Sequence, residues 1–212
     1  MKALIIVDIQ NDFLPGGALA VKDGDQVIPV ANALMDKFDL IVATQDWHPA
    51  NHGSFAANHP GKTVGDVIDL AGLPQYLWPV HCVQNTRGAE LAPDLKRDRI
   101  THIVKKATDP AIDSYSAFFD NGHRRATGLD EFLKSRNVNE IYILGLATDY
   151  CVKFTALDGR KLNYAVTVIE DGCRGVNVHW DDSSNALNEM KRAGARLIHS
   201  SEFTKGGQPC SA

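Results

Sequence analysis

The sequence lacks any apolar run long enough to cross a membrane. A spanning helix takes roughly 18 to 20 apolar residues in succession, whereas the N-terminal apolar run covers residues 3–7 and ends at Asp8. No small-residue cleavage site follows this run, which argues against a secretory signal peptide. We therefore interpret residues 3–8 as a first β-strand and expect no membrane partner.

Closely spaced cysteines are also missing. The chain has four scattered cysteines without a CxxC motif, namely Cys82, Cys151, Cys173 and Cys210. Disulfide frameworks and cysteine metal sites need close, regular spacings, so we interpret these side chains as free thiols of a reducing compartment. The sequence therefore predicts a cytoplasmic protein.

Positive charge is too sparse for a nucleic-acid-binding surface. The formal net charge is −4, and the chain shows no basic stripe beyond the short pair Lys105-Lys106. Proteins that bind nucleic acid or anionic lipid surfaces carry clustered basic residues. We therefore expect a small molecule, and not a nucleic acid, as the partner.

Strand-like and helix-like patterns alternate along the chain. Strand-like runs occur at residues 3–8, 40–44, 101–104, 141–144, 165–169 and 196–198. Helical patterns occur at residues 25–37, 128–136, 149–162 and 181–193. Asn163 and Gly194 follow the last two patterns and are suited to end a helix. Alternation of this kind predicts an α/β fold with a mainly parallel six-stranded sheet covered on both faces.

The chain of 212 residues contains no internal repeat, linker or low-complexity segment, so we expect one domain over residues 1–212. Residues 46–84 and 106–121 are too long for simple connections, and long ordered loops usually carry function. The last residues, from about 204 to 212, are predicted to form a short flexible tail.

The most informative stretch runs from Ile141 to Val152, a buried strand followed by small residues and the start of a helix. Thr148 or Asp149 is predicted to cap that helix, which places Cys151 in its first turn. Free N–H groups and the helix dipole stabilise a thiolate there, and also the oxyanion formed on attack. Cys151 is therefore a candidate nucleophile, with packing as the alternative.

Polar residues follow three other predicted strands. Ligands bind at the carboxyl ends of parallel strands, so Asp8, Asp46 and a lysine after the third strand are expected to share a crevice with Cys151. Asp8 is a candidate general base, unless it is a solvated strand end. Strand alternation allows at most one of Lys105 and Lys106 to point inward.

A candidate metal site lies in the loop after the second strand. Asp46 and His48 are two residues apart, and His81 is able to complete a set of one carboxylate and two imidazoles. Such a set suits Zn²⁺, Fe²⁺ or Mn²⁺. His52 lies nearby, and Cys82 is interpreted as packing. The alternative is a group of surface histidines, because the D-x-H motif alone is weak.

Aromatic residues on the predicted loops form a further candidate feature. They are Phe13, Trp47, Trp78, Tyr115 and Tyr150. Loop aromatics can wall a pocket for a flat ring, or they can cover the ends of the sheet. We interpret Trp47 as a covering residue.

Five segments together resemble the nicotinamidases, which belong to the isochorismatase-like superfamily of cysteine hydrolases. These segments lie at residues 3–13, 46–49, 78–82, 113–118 and 145–152. The first and last are typical of the superfamily, and the other three are typical of the nicotinamidase branch. The resemblance runs in order from about residue 3 to about residue 200, and it implies a three-layer α-β-α sandwich.

The resemblance implies a catalytic triad of Asp8, Lys106 and Cys151. Lys106 is preferred to Lys105 because its distance from Pro110 matches the family spacing, although Ala107 stands where the family usually has glycine. The resemblance also implies an oxyanion hole made by the backbone N–H groups of Ala147 and Cys151. The peptide bond before Ala147 is expected to be cis.

The resemblance further implies one divalent metal ion, Zn²⁺, Fe²⁺ or Mn²⁺, held by Asp46, His48 and His81. His52 matches a histidine that binds metal only in some members, so we do not include it. Four residues match positions that line the substrate pocket: Phe13, Leu19, Trp78 and Tyr115.

The function implied by the resemblance is hydrolysis of nicotinamide to nicotinate and ammonia, through a thioester on Cys151, in NAD salvage. Pyrazinamide is expected as a second substrate, and a homo-oligomer is compatible with this interpretation. One alternative is a related amidohydrolase acting on a ureido or carbamoyl substrate. Another is a metal-binding protein without catalysis, which the presence of Asp8, Lys106 and Cys151 disfavours.

Overall fold

The structure, a computed structural model, describes residues 1–203. The tail predicted at about residues 204–212 lies outside the described residues. The β-strands are β1 (Lys2–Val7), β2 (Leu40–Asp46), β3 (Val67–Leu70), β4 (Leu73–Tyr76), β5 (His102–Lys106), β6 (Glu140–Leu146), β7 (Ala165–Arg174) and β8 (Arg196–Ile198). The α-helices are α1 (Val27–Met35), α2 (Leu129–Ser135), α3 (Lys153–Lys161) and α4 (Asp182–Arg192).

Six strands form one sheet in the order β5-β2-β1-β6-β7-β8, and all of its pairings are parallel. The α-helices cover the sheet, so the architecture is a three-layer α-β-α sandwich. Residues 3–7 of the central strand β1 are completely buried. Aliphatic residues on both sides of a strand are what a sheet covered on both faces needs. The predicted six-stranded parallel sheet is confirmed.

The helices are shorter than the sequence pattern predicted, but their ends are as expected. Asn163 and Gly194 have φ angles of +67° and +88°, in the left-handed region that commonly ends a helix. In the third helical region, residues 148–152 form a π-helical turn before α3 begins. None of the helices in residues 1–203 has the length and apolar character needed to cross a bilayer.

A hairpin of β3 and β4 lies inside the long loop at residues 46–84 and was not predicted. Each strand has only four residues, and Pro74 interrupts the pattern in β4. Proline removes a backbone donor and disfavours a strand assignment. The hairpin leads directly into Trp78, so it positions one wall of the pocket described below.

Gly145 allows the two central strands to approach each other. It pairs with Val7, its φ angle is +126°, and a Cβ atom there would lie 2.1 Å from the Val7 carbonyl oxygen. Only glycine adopts this backbone conformation without strain and without that clash. The close approach fixes the end of β1 against the end of β6, the two strands that precede Asp8 and Cys151.

Substituting Gly145 with alanine is expected to lower the free energy of unfolding by at least about 3 kcal/mol, because strain and overpacking add. Gly61→Ala is the matched control, since Gly61 also has a positive φ angle but open space around its Cα. That control should lose only about 1 kcal/mol. Denaturant unfolding measures both, and equal losses would contradict the close-approach argument.

Candidate active site

The ends of four neighbouring strands supply the floor of one pocket. Asp8 follows β1, Asp46 ends β2, Lys106 ends β5, and Cys151 lies in the π-helical turn after β6. The pocket above them has a volume of about 380 Å³. Because parallel strands present their carboxyl ends at the same edge, residues far apart in sequence meet there.

The Lys106 ammonium group lies at the centre of this floor and is completely buried. Its Nζ is 2.9 Å from Asp8 Oδ2, 3.0 Å from the Ser114 carbonyl oxygen and 3.3 Å from Cys151 Sγ, and it also donates to Asp46 Oδ1. Burial alone would lower the pKa of Lys106, but the two carboxylates hold it well above its ordinary value. Lys106 is therefore a permanent buried cation.

Lys105 points the other way, as strand alternation requires. Its Nζ lies 3.5 Å from the centroid of the Trp47 ring on the outside of the sheet. Trp47 is accordingly a covering residue and does not line the pocket. Ala107, which follows Lys106, has a φ angle of +54°, in the region that favours glycine. This explains the preference for glycine noted at this position.

Asp8 sits where the chain turns away from β1, with a φ angle of +47°. Its N–H donates to Thr44 Oγ1, and the Thr44 hydroxyl donates to Asp8 Oδ1. Burial raises the pKa of Asp8 above its ordinary value of 3.8, against the opposing effect of Lys106. A carboxylate with a raised pKa is a better proton acceptor, which suits a general base.

Cys151 is 6% exposed, and its sulfur lies within 4.8 Å of carboxylate oxygens of Asp8 and Asp46. Burial raises the pKa of the Cys151 thiol well above its ordinary value, although the Lys106 ammonium favours the thiolate. The resting site therefore holds a thiol, and its activation requires a nearby base. The preceding Leu146–Ala147 peptide bond is cis, as the resemblance implies.

The prediction that Thr148 or Asp149 caps the helical turn containing Cys151 is wrong. Ala147 occupies the cap position, and no side chain caps this turn. The Asp149 carboxylate instead accepts hydrogen bonds from the backbone N–H groups of Val176 and Asn177, at 2.9 and 2.7 Å. Asp149 therefore holds the loop after β7 against the pocket, a tertiary contact that competes with local capping.

Asp46, His48 and His81 place potential ligand atoms within 4.8 Å of one another. His81 Nδ1 donates to the Pro79 carbonyl oxygen at 2.8 Å, which leaves Nε2 unprotonated, 3.9 Å from Asp46 Oδ2. Burial, followed by the neighbouring His48, lowers the pKa of His81 to about 4. His81 is therefore the neutral imidazole that metal coordination needs.

The contacts of His48 also fit a metal ligand. His48 Nε2 donates to Asp113 Oδ1 at 3.4 Å, while its Nδ1 is buried without a hydrogen-bond partner. Metal-binding histidines commonly donate their other ring N–H to a carboxylate in this way. Although burial opposes ionisation, His48 holds the pKa of Asp113 well below its usual range. One carboxylate and two imidazole nitrogens therefore fit a divalent ion.

His52 is oriented differently from these two histidines. Its Nδ1 accepts a hydrogen bond from the Ser54 backbone N–H at 3.1 Å. Its Nε2 is buried without a hydrogen-bond partner. His48, His52 and Asp113 also place potential ligand atoms within 4.8 Å of one another, so His52 lies directly beside the three predicted metal ligands.

Aromatic and aliphatic side chains form the pocket walls. The lining includes Phe13, Leu19, Trp78, Tyr115, Tyr150 and Val176, with Ala147 and Cys151 at its base. The Tyr150 ring packs against Trp78 and Tyr115 with centroid distances of 4.9 and 5.3 Å. Trp78 Nε1 donates to the Tyr115 hydroxyl at 3.1 Å. Rings fixed in this way form a narrow apolar slot above a charged floor.

Comparison with known proteins identifies the family. Residues 2–202 match the family model of the isochorismatase domain. A nicotinamidase of Escherichia coli is 53% identical over 200 residues, covering 92% of this chain and 93% of that protein. The chain belongs to the nicotinamidase branch of the isochorismatase-like hydrolases.

Solved nicotinamidase structures share this fold. An Acinetobacter baumannii nicotinamidase and pyrazinamidase superposes with a TM-score of 0.93 at 46% identity, covering 95% of this chain and 97% of that one. A Pyrococcus horikoshii pyrazinamidase, solved in complex with zinc, gives a TM-score of 0.76 at 41% identity, covering 93% and 98%.

The structure brings together all the residues that resemblance to the nicotinamidases singles out. Asp8 and Lys106 lie in the floor, and the remaining residues line the pocket: Phe13, Leu19, Asp46, His48, Trp78, His81, Tyr115, Ala147 and Cys151. Tyr150, one of the loop aromatics expected either to wall a pocket or to cover the sheet ends, lines the pocket, whereas Asp113 and Val176 were not assigned to it. Asp113 had a signal, because it opens the segment 113–118 that resembles the nicotinamidases. Val176 had none, because its hydrogen bond to Asp149 joins segments that are distant in the sequence.

Replacing Lys106 with methionine in this nicotinamidase-like site is expected to lower the free energy of unfolding by about 3 to 5 kcal/mol at pH 7.5, because two buried carboxylates lose their cation. The Asp8 pKa, already raised, would rise further. As the pH falls, the folded variant then binds more protons than the unfolded chain, which stabilises the folded form. The decrease in the free energy of unfolding caused by the substitution should therefore be smaller at pH 5 than at pH 7.5.

Denaturant unfolding at both pH values measures this effect. Lys105→Met is the matched control, and its exposed cation–π contact should be worth no more than about 1 kcal/mol. A loss for Lys106→Met that is equal at pH 7.5 and pH 5 would contradict the role assigned to the buried carboxylates.

Proposed function

We propose that this protein is an amidohydrolase that converts nicotinamide to nicotinate and ammonia in NAD salvage, with Cys151 as the nucleophile. The observation that carries the proposal is the contact of a thiol, a buried ammonium and a carboxylate at the pocket floor. Lys106 Nζ lies 3.3 Å from Cys151 Sγ and 2.9 Å from Asp8 Oδ2. The nicotinamidase of Escherichia coli, at 53% identity, supports the same reaction.

The pocket walls support a flat aromatic substrate. Phe13, Leu19, Trp78 and Tyr115 are proposed to contact the ring, and Tyr150 adds a further wall. Pyrazinamide has the same ring size and the same carboxamide, so we propose it as a second substrate. The relatives from Acinetobacter baumannii and Pyrococcus horikoshii are pyrazinamidases, which supports this extension.

In the first half of the reaction, Asp8 accepts the Cys151 proton and the thiolate attacks the carboxamide carbon. The carbonyl π electrons move to oxygen, and the N–H groups of Ala147 and Cys151 are proposed to stabilise the oxyanion. The C–N bond then breaks, and Asp8 returns its proton to the departing nitrogen to give ammonia. The product is a nicotinoyl thioester on Cys151.

In the second half, Asp8 accepts a proton from water, and the resulting hydroxide attacks the thioester carbon. The C–S bond breaks, Asp8 passes its proton to the departing Cys151 sulfur, and the nicotinic acid that forms loses its own proton to water to give nicotinate. Lys106 keeps its charge throughout and compensates the negative charge that passes between Asp8 and Cys151.

Asp46, His48 Nδ1 and His81 Nε2 would hold one divalent cation, for which we propose Zn²⁺, Fe²⁺ or Mn²⁺. Such an ion would supply a Lewis acid that binds the ring nitrogen of the substrate, directly or through water, and orients it. The zinc complex of the Pyrococcus horikoshii relative supports this assignment.

The remaining features of the proposal concern the chain as a whole. We propose one domain over residues 1–212 that binds no nucleic acid and no membrane. The free thiols of Cys82, Cys151 and Cys173 support a reducing compartment, which we take to be the cytoplasm. A homo-oligomer stays a prediction.

Ammonia release from nicotinamide and from pyrazinamide tests the reaction. Cys151→Ala should lower kcat at least about 10⁴-fold with both substrates, because the nucleophile is lost. Cys173→Ala is the matched control, since that buried cysteine lies on β7 and donates to Ile169 O outside the pocket. It should keep wild-type activity. Release only from ureido or carbamoyl amides would instead support the related amidohydrolases.

Metal removal tests the cation site. Dialysis against a chelator should lower ammonia release at least about tenfold, because the substrate ring loses its orientation. Adding back Zn²⁺, Fe²⁺ or Mn²⁺ should restore it in the wild type but not in His81→Ala. Full activity of metal-free protein would contradict the proposed cation.

A further inference from the structure

The backbone of Asp46 needs a hydrogen-bonding partner that the sheet does not supply. Strand β2 continues to Asp46, but its last pair with β1 is Ile6 with Ala43. Beyond that pair, β1 ends at Val7 and the chain turns away at Asp8. Buried N–H and C=O groups without partners are costly, so another group has to replace the missing strand.

The side chain of Gln10 takes that place. Its Oε1 accepts a hydrogen bond from the Asp46 backbone N–H, and its Nε2 donates to the Asp46 carbonyl oxygen, both at 2.8 Å. The second proton of Nε2 goes to the Ala89 carbonyl oxygen, also at 2.8 Å. Gln10 is completely buried, and both of its amide protons are used. We call the pair of bonds to Asp46 the amide clamp.

The amide clamp matters because the two carboxylate oxygens of Asp46 face two different groups. One carboxylate oxygen accepts from Lys106, and the other lies 3.9 Å from His81 Nε2. Any shift of the Asp46 backbone moves both oxygens relative to the buried ammonium and to the imidazoles. A displacement of a fraction of an ångström is enough to weaken a metal site.

We propose that Gln10 is a positioning residue for the metal site, acting through the Asp46 backbone. This inference rests on the metal ligands of the proposed function and adds a residue that touches neither the substrate nor the ion. It explains how β1 can release Asp8 into the site while β2 continues to Asp46.

Gln45 provides a matched control on the same strand. Its Nε2 donates to the same Ala89 carbonyl oxygen, also at 2.8 Å, and its side chain is buried as well. Substituting either glutamine therefore removes one hydrogen bond to Ala89, and the other glutamine still satisfies that oxygen. Only the Gln10 variant removes the amide clamp.

The experiment compares wild type, Gln10→Met and Gln45→Met as full-length proteins. Zn²⁺ affinity is measured by competition with a chromophoric chelator, and the ligand geometry is monitored through the absorption spectrum of the Co²⁺-loaded proteins. Gln10→Met should bind Zn²⁺ about 10- to 100-fold more weakly and change the Co²⁺ spectrum. Gln45→Met should stay within about threefold of wild type with an unchanged spectrum.

Equal Zn²⁺ affinities in Gln10→Met and Gln45→Met would overturn the inference. If Gln10→Met does not fold, Gln10→Glu takes its place. That variant keeps an acceptor for the Asp46 N–H but sets a carboxylate against two carbonyl oxygens, so it should also weaken Zn²⁺ binding.

Nicotinamide hydrolysis by the wild type separates this inference from the proposed function. Wild type that binds Zn²⁺ but releases no ammonia would overturn the reaction, while a weakened Gln10 variant would still support the clamp. Active wild type with an undisturbed Gln10 variant would overturn the clamp alone.

Discussion

The site depends on the contacts that the buried ammonium group of Lys106 makes with the groups around it. A charge removed from water is tolerated only when opposite charges and acceptors surround it, and Asp8, Asp46, Ser114 and Cys151 all contact this one atom. Lys106 thereby joins the proposed nucleophile and base to the proposed metal ligands. Two carboxylates against one ammonium leave the floor negatively charged, which favours a divalent cation beside Asp46.

The strand order supplies these contacts because β5, β2, β1 and β6 are adjacent. Asp8, the proposed base, follows one central strand and Cys151, the proposed nucleophile, follows the other, while the lysine comes from the edge strand β5. Its long side chain spans the width of β2 to reach them. A shorter basic residue at position 106 would leave the two halves of the site unconnected.

Much of this arrangement could be predicted from the sequence. Apolar runs gave the six strands, and the rule that ligands bind at the carboxyl ends of parallel strands grouped Asp8, Asp46 and Cys151. The family spacing selected Lys106. The β3–β4 hairpin, the Asp149 contact with the loop after β7 and the Gln10 clamp were not predictable in this way. The hairpin is local, but its four-residue strands and Pro74 hide the strand pattern. The Asp149 and Gln10 contacts join segments that are distant in the sequence, which leave no local pattern.

The central position of β1 has a consequence for synthesis of the chain. Lys2 pairs with Glu140, so one edge of the first strand has no partner until the ribosome has produced β6. In the meantime, the aliphatic residues 3–7 of β1 have only β2 beside them. Open apolar edges of this kind recruit strands from other chains. The nascent chain therefore keeps this edge of β1 open until β6 has been made, and during that interval pairing with strands of other chains competes with completion of the sheet.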